Sequence, residues 1–265
     1  MKTSSKYLKF SLLFTGTIAL AAATLVADSP GVPHKRGTDI LHFFARKAMS
    51  NTAVMTDATG QIYARQNRQG NANNQNLDIT VKGLDINTSY QLLALLDADT
   101  NLTQVAEFST DSKGRALLRY RRLGNGKGMG HGKLPLPDLL DPVSLIRALE
   151  IWNSSTQAVL TADLTVPDKL QYLIKRDLST NAVWASLRIK SNLNQTQFKL
   201  LTSGLTPAND YLLVLNGSEV ETYTADSKGR LVIDAPLEIP TDILDLRSVA
   251  LWDSVSNVVL STTLP

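Results

Sequence analysis

The chain has 265 residues, with 27 Lys and Arg against 24 Asp and Glu and no cysteine. The lack of cysteine excludes disulfides, thiolate metal sites, a thiol nucleophile and lipid attachment at an amino-terminal cysteine. Lys2, Lys6 and Lys9 lie in the first 27 residues, which hold no acid, so the rest of the chain is formally neutral. That argues against nucleic acid as a partner, because phosphate binding rests on a lasting excess of cations.

Residues 1–27 read as a secretory signal peptide. Three lysines precede the apolar run FSLLFTGTIALAAATLVA, which ends in small residues suited to a cut. The run is short for a membrane span of about 20 residues, so no stable span is expected after cleavage. The pattern looks bacterial and predicts an exported protein: periplasmic, cell-surface or secreted. Residues 28–38 then form an amino-terminal extension.

Beyond this point the chain repeats itself. DILHFFARKAMSNTAV from residue 39 lies over DKLQYLIKRDLSTNAV from residue 168 without a gap. GLDINTSYQLL from 83 matches GLTPANDYLLV from 204, and TDSKGRA from 110 matches ADSKGRL from 225. LEIWNSSTQAVLTADL from 149 matches VALWDSVSNVVLSTTL from 249. The offsets fall from 129 to 121, 115 and 100, so the first copy carries all the net insertions. The expected division is repeat 1 over 39–164, a linker over 165–169 and repeat 2 over 170–265.

The common blocks read as short strands. Leu77, Ile79 and Val81 alternate with polar residues, as do Phe198, Leu200 and Thr202 and, at the end, Val258, Leu260, Thr262 and Leu264. Residues 40–48 read as strand too, because Leu41, Phe43 and Ala45 match Leu170, Tyr172 and Ile174. Each DSKG is a turn in which glycine supplies positive φ. LPDLLDP and IPTDILDL each predict one helical turn, capped by Asp138 and Thr241. About seven strands per copy predict an all-β protein of two tandem β-sandwich repeats.

GLDINTSY and GLTPANDY resemble the corner of fibronectin type III and related bacterial immunoglobulin-like modules. The resemblance implies that the Tyr90 and Tyr211 hydroxyls return a hydrogen bond to the corner. Some fifty residues follow the corner here, where a fibronectin module has about one strand more, so the resemblance implies a sandwich and no specific family.

Three features are candidate sites. RYRRLGNGKGMGHGKLP, residues 119–135, matches neither G-x-x-x-x-G-K-[ST] nor G-x-G-x-x-G. It reads either as a surface insertion or as an anion-binding loop, with Arg119 and Arg121 on one strand face followed by Arg122, Lys127, His131 and Lys133. Asp97, Asp99 and Asn101 echo the start of a calcium loop, but Leu102 replaces its glycine and Phe108 its final glutamate, so no metal is expected. Alternation places Trp152, Trp184 and Trp252 off the core, as sugar platforms or an interdomain contact, unless a bulge tucks them in.

Neither G-x-S-x-G nor H-E-x-x-H occurs. The expectation is a non-enzymatic binding, adhesion or structural module without cofactor. The candidate contact surface is the loops 65–76, 97–104 and 119–135. Its expected partners are anionic or neutral glycans or another envelope protein. One alternative is a carbohydrate-binding protein using the tryptophans and QNRQGNANNQN. Another is a hydrolase whose site the sequence does not display.

Overall fold

Alternating burial builds every long strand of this chain. The computed structural model describes residues 39–97, 99–122, 131–180, 182–235 and 243–264. The expected signal peptide, the extension, Lys127 and Thr241 lie outside them. The strands of the first half are β1 Ile40–Asn51, β2 Thr59–Gln69, β3 Ala72–Lys82, β4 Ser89–Leu96, β5 Thr103–Ser109, β6 Ala116–Arg122, β7 Leu134–Pro135, β8 Ile146–Trp152 and β9 Ala158–Asp163. Those of the second are β10 Lys169–Ser179, β11 Trp184–Asn192, β12 Thr196–Ser203, β13 Asp210–Leu215, β14 Ser218–Thr224, β15 Leu231–Ala235, β16 Ser248–Asp253 and β17 Val258–Thr263. The protein is all-β; its helical elements among the described residues are 3₁₀ turns at Asp138–Leu140, Val143–Leu145 and Ile243–Asp245.

A broad layer runs β15-β12-β11-β10-β1-β2-β3-β6-β7. Two smaller sheets lie apart from this path. One runs β5-β4-β8-β9 and joins the last two residues of β1 through β9, and the other runs β14-β13-β16-β17. Leu41, Phe43 and Ala45 of β1, Leu92 of β4 and Leu251 of β16 all belong to one continuous apolar cluster. The described residues form one compact unit. The segment 165–169 is fastened within it. Asp168 donates its backbone N–H to Arg46 and accepts one from Ala48, and Lys169 already opens β10.

The two halves meet through β1 and β10, antiparallel, with Leu41 opposite Ile174, Phe43 opposite Tyr172 and Ala45 opposite Leu170. Phe43 and Tyr172 hold the same place in the two similar sequence blocks, so this joint has a local two-fold axis. Their rings meet edge-on with centroids 6.4 Å apart, an arrangement that contributes about 0.5–1.5 kcal/mol beyond burial.

Turns repeat in detail. The Asp85 N–H donates to the Tyr90 hydroxyl at 3.0 Å, and the Thr206 N–H donates to that of Tyr211 at 2.9 Å. Asp111 accepts from the backbone of Lys113 and Arg115, as Asp226 does from Lys228 and Arg230. The Arg115 side chain and backbone hold the exposed Asp111 carboxyl below its usual range, and the Arg230 backbone leads the same effect on Asp226. Gly114 and Gly229 close these turns at φ +65 and +67, where a Cβ would lie 2.0 and 2.1 Å from the carbonyl oxygens of Leu84 and Leu205.

Two expectations need correction. Residues 65–76 are the paired ends of β2 and β3 around Gly70 and Asn71, and not a loop. Asn and Gln are poor strand formers, but Gln66 and Gln75 point inward and are almost fully buried. Gln66 accepts from Ser144 Oγ at 2.8 Å, and Gln75 accepts from the Val143 N–H at 2.8 Å while donating to Asp141. The amide run is therefore a polar anchor for residues 141–145, which keeps buried donors satisfied. Asp138 is the first residue inside its 3₁₀ turn. Pro137 holds the cap position, without a side-chain cap.

Candidate functional site

The residues singled out in sequence do not converge. Arg119 is exposed on the outer face of β6. Arg121 is held by Asp78 at 2.7 Å, and Arg122 by Asp141. His131 and Lys133 are exposed beyond the segment 123–130, which lies outside the described residues together with Lys127. Trp184 is 46% exposed near the end of the broad layer. Trp152 and Trp252 each follow a β-bulge and are half-buried on the outer faces of the smaller sheets. The indole N–H of Trp152 donates to Glu150 at 2.6 Å. That of Trp252, where Ala250 stands in the place of Glu150, is buried without a hydrogen-bond partner among the described residues.

Asp97 is not available to a metal. Its two carboxylate oxygens accept from Arg147, of the same half, and Arg247, of the other. Partial burial pushes the Asp97 carboxyl up, but bonds from Arg247 and then Arg147 outweigh it and hold the group below the usual carboxylate range. Arg147 is buried and also reaches Asp245 at 2.5 Å. Asp99 and Asn101 lie in the same connection without joining this cluster. No group of three or more metal-ligating acids or histidines occurs among the described residues.

What the fold does bring together is charge. The strands of the broad layer carry fourteen Lys and Arg against three Asp. The eight strands of the smaller sheets carry seven Asp and Glu against a single Arg, the buried Arg147. The formal neutrality of residues 28–265 thus hides strands of opposite net charge, with the turns and connections supplying the remaining acids. Such segregation gives one face a positive field that reaches about 8–10 Å into physiological salt.

Register sets the pattern on that face. Arg46 stands between Tyr63 and Lys169, Phe44 between Arg65 and Gln171, and His42 between Asn67 and Leu173. Arg188 stands between Lys175 and Lys199. Lys199 is held by Asp234 at 2.5 Å. Arg46, Arg65, Arg119, Lys175, Arg188 and Lys190 form no ion pair among the described residues. The Lys169 ammonium rests over the Phe44 ring, 5.9 Å from its centroid. Sequence reasoning missed this face because it weighed the charges as a sum. The available signal was position: these cations sit at the polar places of alternating strands.

No family model, curated protein or solved structure matches this chain. Cations without an ion pair among the described residues, interleaved with amides, line the outer face of the broad layer. No helix among the described residues is long and apolar enough to cross a membrane.

Proposed function

We propose that this chain is an exported, non-enzymatic binding module of the bacterial envelope that holds acidic glycans on the basic face of its broad layer. The sandwiches are read as two tandem immunoglobulin-like repeats, 39–164 and 170–265, behind a signal peptide at 1–27. The matching tyrosine corners and the shared strand order of the two halves support that reading. The observation that carries the function is the separation of charge between layers. Glycans are favoured over nucleic acid because side-chain amides flank the cations and few exposed aromatic rings offer a base a stacking platform.

Retention on a sulfated-polysaccharide resin tests this reading. Full-length protein is expected to bind and to elute with salt. Arg46→Glu combined with Lys175→Glu, one site from each half, is expected to lower affinity about tenfold at fixed salt. Unchanged retention, or tighter binding to DNA than to any acidic glycan, defeats it.

A second reading, a neutral glycan, has one observation in its favour. Trp252 lines a hollow of about 550 Å³ on the outer face of its sheet, together with Ser261 and Thr262. Its counterpart Trp152 is already engaged by Glu150.

A further inference from the structure

A second hollow, of about 670 Å³, opens on the basic face over β10 and β11. Its charged rim is Lys169, Arg188 and Lys190, none of which has an ion-pair partner among the described residues. Arg188 and Lys190 are two apart on β11, so they project on the same side about 6.6 Å apart along the strand. Gln171 and Asn192, directly opposite each other, add side-chain amides. Leu173 and the exposed Leu193 supply an apolar surface between them.

The equivalent surface of the first half carries fewer cations, and the substitutions explain it. Carried through the strand pairings, Lys169 corresponds to Ile40, Arg188 to Tyr63, Lys190 to Arg65, and the facing pair Gln171 and Asn192 to His42 and Asn67, so two of the three cations belong to the second half alone. His42 Nδ1 and the Asn67 amide are hydrogen-bonded at 2.8 Å across that pair. Gln171 and Asn192 make no such bond between their side chains, and three positive groups gather with no acid among the described residues that line the hollow. Like charges held in one concavity repel, and an anionic ligand removes that repulsion on arrival. The size suits one or two sugar rings.

We propose that this hollow is the specificity subsite for a single acidic sugar residue, with its carboxylate or sulfate between Arg188 and Lys190. Its hydroxyls bond the Gln171 and Asn192 amides and its apolar ring face rests on Leu173. This rests on the acidic-glycan reading of the broad layer and locates recognition within it.

Titration of the full-length protein with oligogalacturonate, chondroitin sulfate oligosaccharide and neutral dextran separates the two. The first two probes distinguish carboxylate from sulfate as the preferred anion. Lys190→Glu is expected to weaken the preferred acidic probe about tenfold or more, and Arg119→Glu, on the same face outside the hollow, less than about threefold. Melting temperatures check that both variants fold. Gln171→Ala, which leaves the charge unchanged, is expected to narrow the preference between acidic probes. Equal losses for Lys190→Glu and Arg119→Glu overturn the subsite and leave the basic face standing. Failure of the unaltered protein to bind either acidic probe overturns both.

Discussion

The two halves use the same devices at their turns and different ones at their surfaces. Tyr90 and Tyr211, Asp111 and Asp226, Gly114 and Gly229 make matching contacts at nearly equal distances. Away from the turns the partners diverge. Glu150 engages its tryptophan where Ala250 cannot, and Asp78 opposite Arg119 becomes Lys199 opposite Asp234, with the charges exchanged. Backbone geometry therefore fixes a few residues in each half. The faces between those points are free to specialise, as Lys169 and Arg188 of the second half do against Ile40 and Tyr63 of the first.

The strongest way to break this equivalence is at the turn glycines. Gly114→Ala and Gly229→Ala each put a Cβ against a carbonyl oxygen at positive φ, and each is expected to cost about 3 kcal/mol by chemical denaturation. Losses that differ severalfold between the two would show that the matching turns are not equally stressed. Asp97 sharpens the comparison from the other side, because its connection is longer than the Asn216–Gly217 turn of the second half. Asp97→Ala strips a carboxylate from buried Arg147 and from Arg247, and is expected to cost about 2–3 kcal/mol at neutral pH.

The pH dependence of Asp97 follows from its lowered carboxyl. Its contribution is complete above the ordinary value of 3.8 and is lost as pH falls through the depressed folded value. The stability gap between the parent protein and Asp97→Asn, read from denaturation at several pH values, should therefore close in acid. A gap that stays constant to low pH would remove the charge from the explanation. The smallest effect is expected at the tryptophans. Ala250→Glu gives Trp252 the partner that Trp152 has, a gain of about 1 kcal/mol, while Glu150→Ala loses a similar amount. Thermal melting with tryptophan emission reads both.

Much of the framework was legible because it is local. Alternation at Leu41, Phe43 and Ala45 marks a strand, the two DSKG turns declare their glycines, and the corner tyrosines stand five residues after the N–H they accept. The joint was not legible, because the pairing of Phe43 with Tyr172 links strands far apart in sequence and both read as ordinary core residues. Residues 65–76 misled because Asn, Gln and Gly resemble a loop, while Gln66 and Gln75 are buried through bonds to a distant segment. Alternation put Trp152 and Trp252 on the outer face, where they are, but their half-burial beside a bulge depends on the partner strand. The basic face was hidden by addition: the sum of charges is blind to which side of a strand each occupies.

The crossing of Phe43 with Tyr172 has a consequence for assembly. A solitary first half would bare the rim of β1, and bare rims recruit neighbouring chains. Its most suitable recruit is another copy of itself, turned through the same axis. Tethering both partners in one polypeptide makes their encounter intramolecular, so dilution cannot part them and crowding cannot extend them into a longer ribbon at that rim.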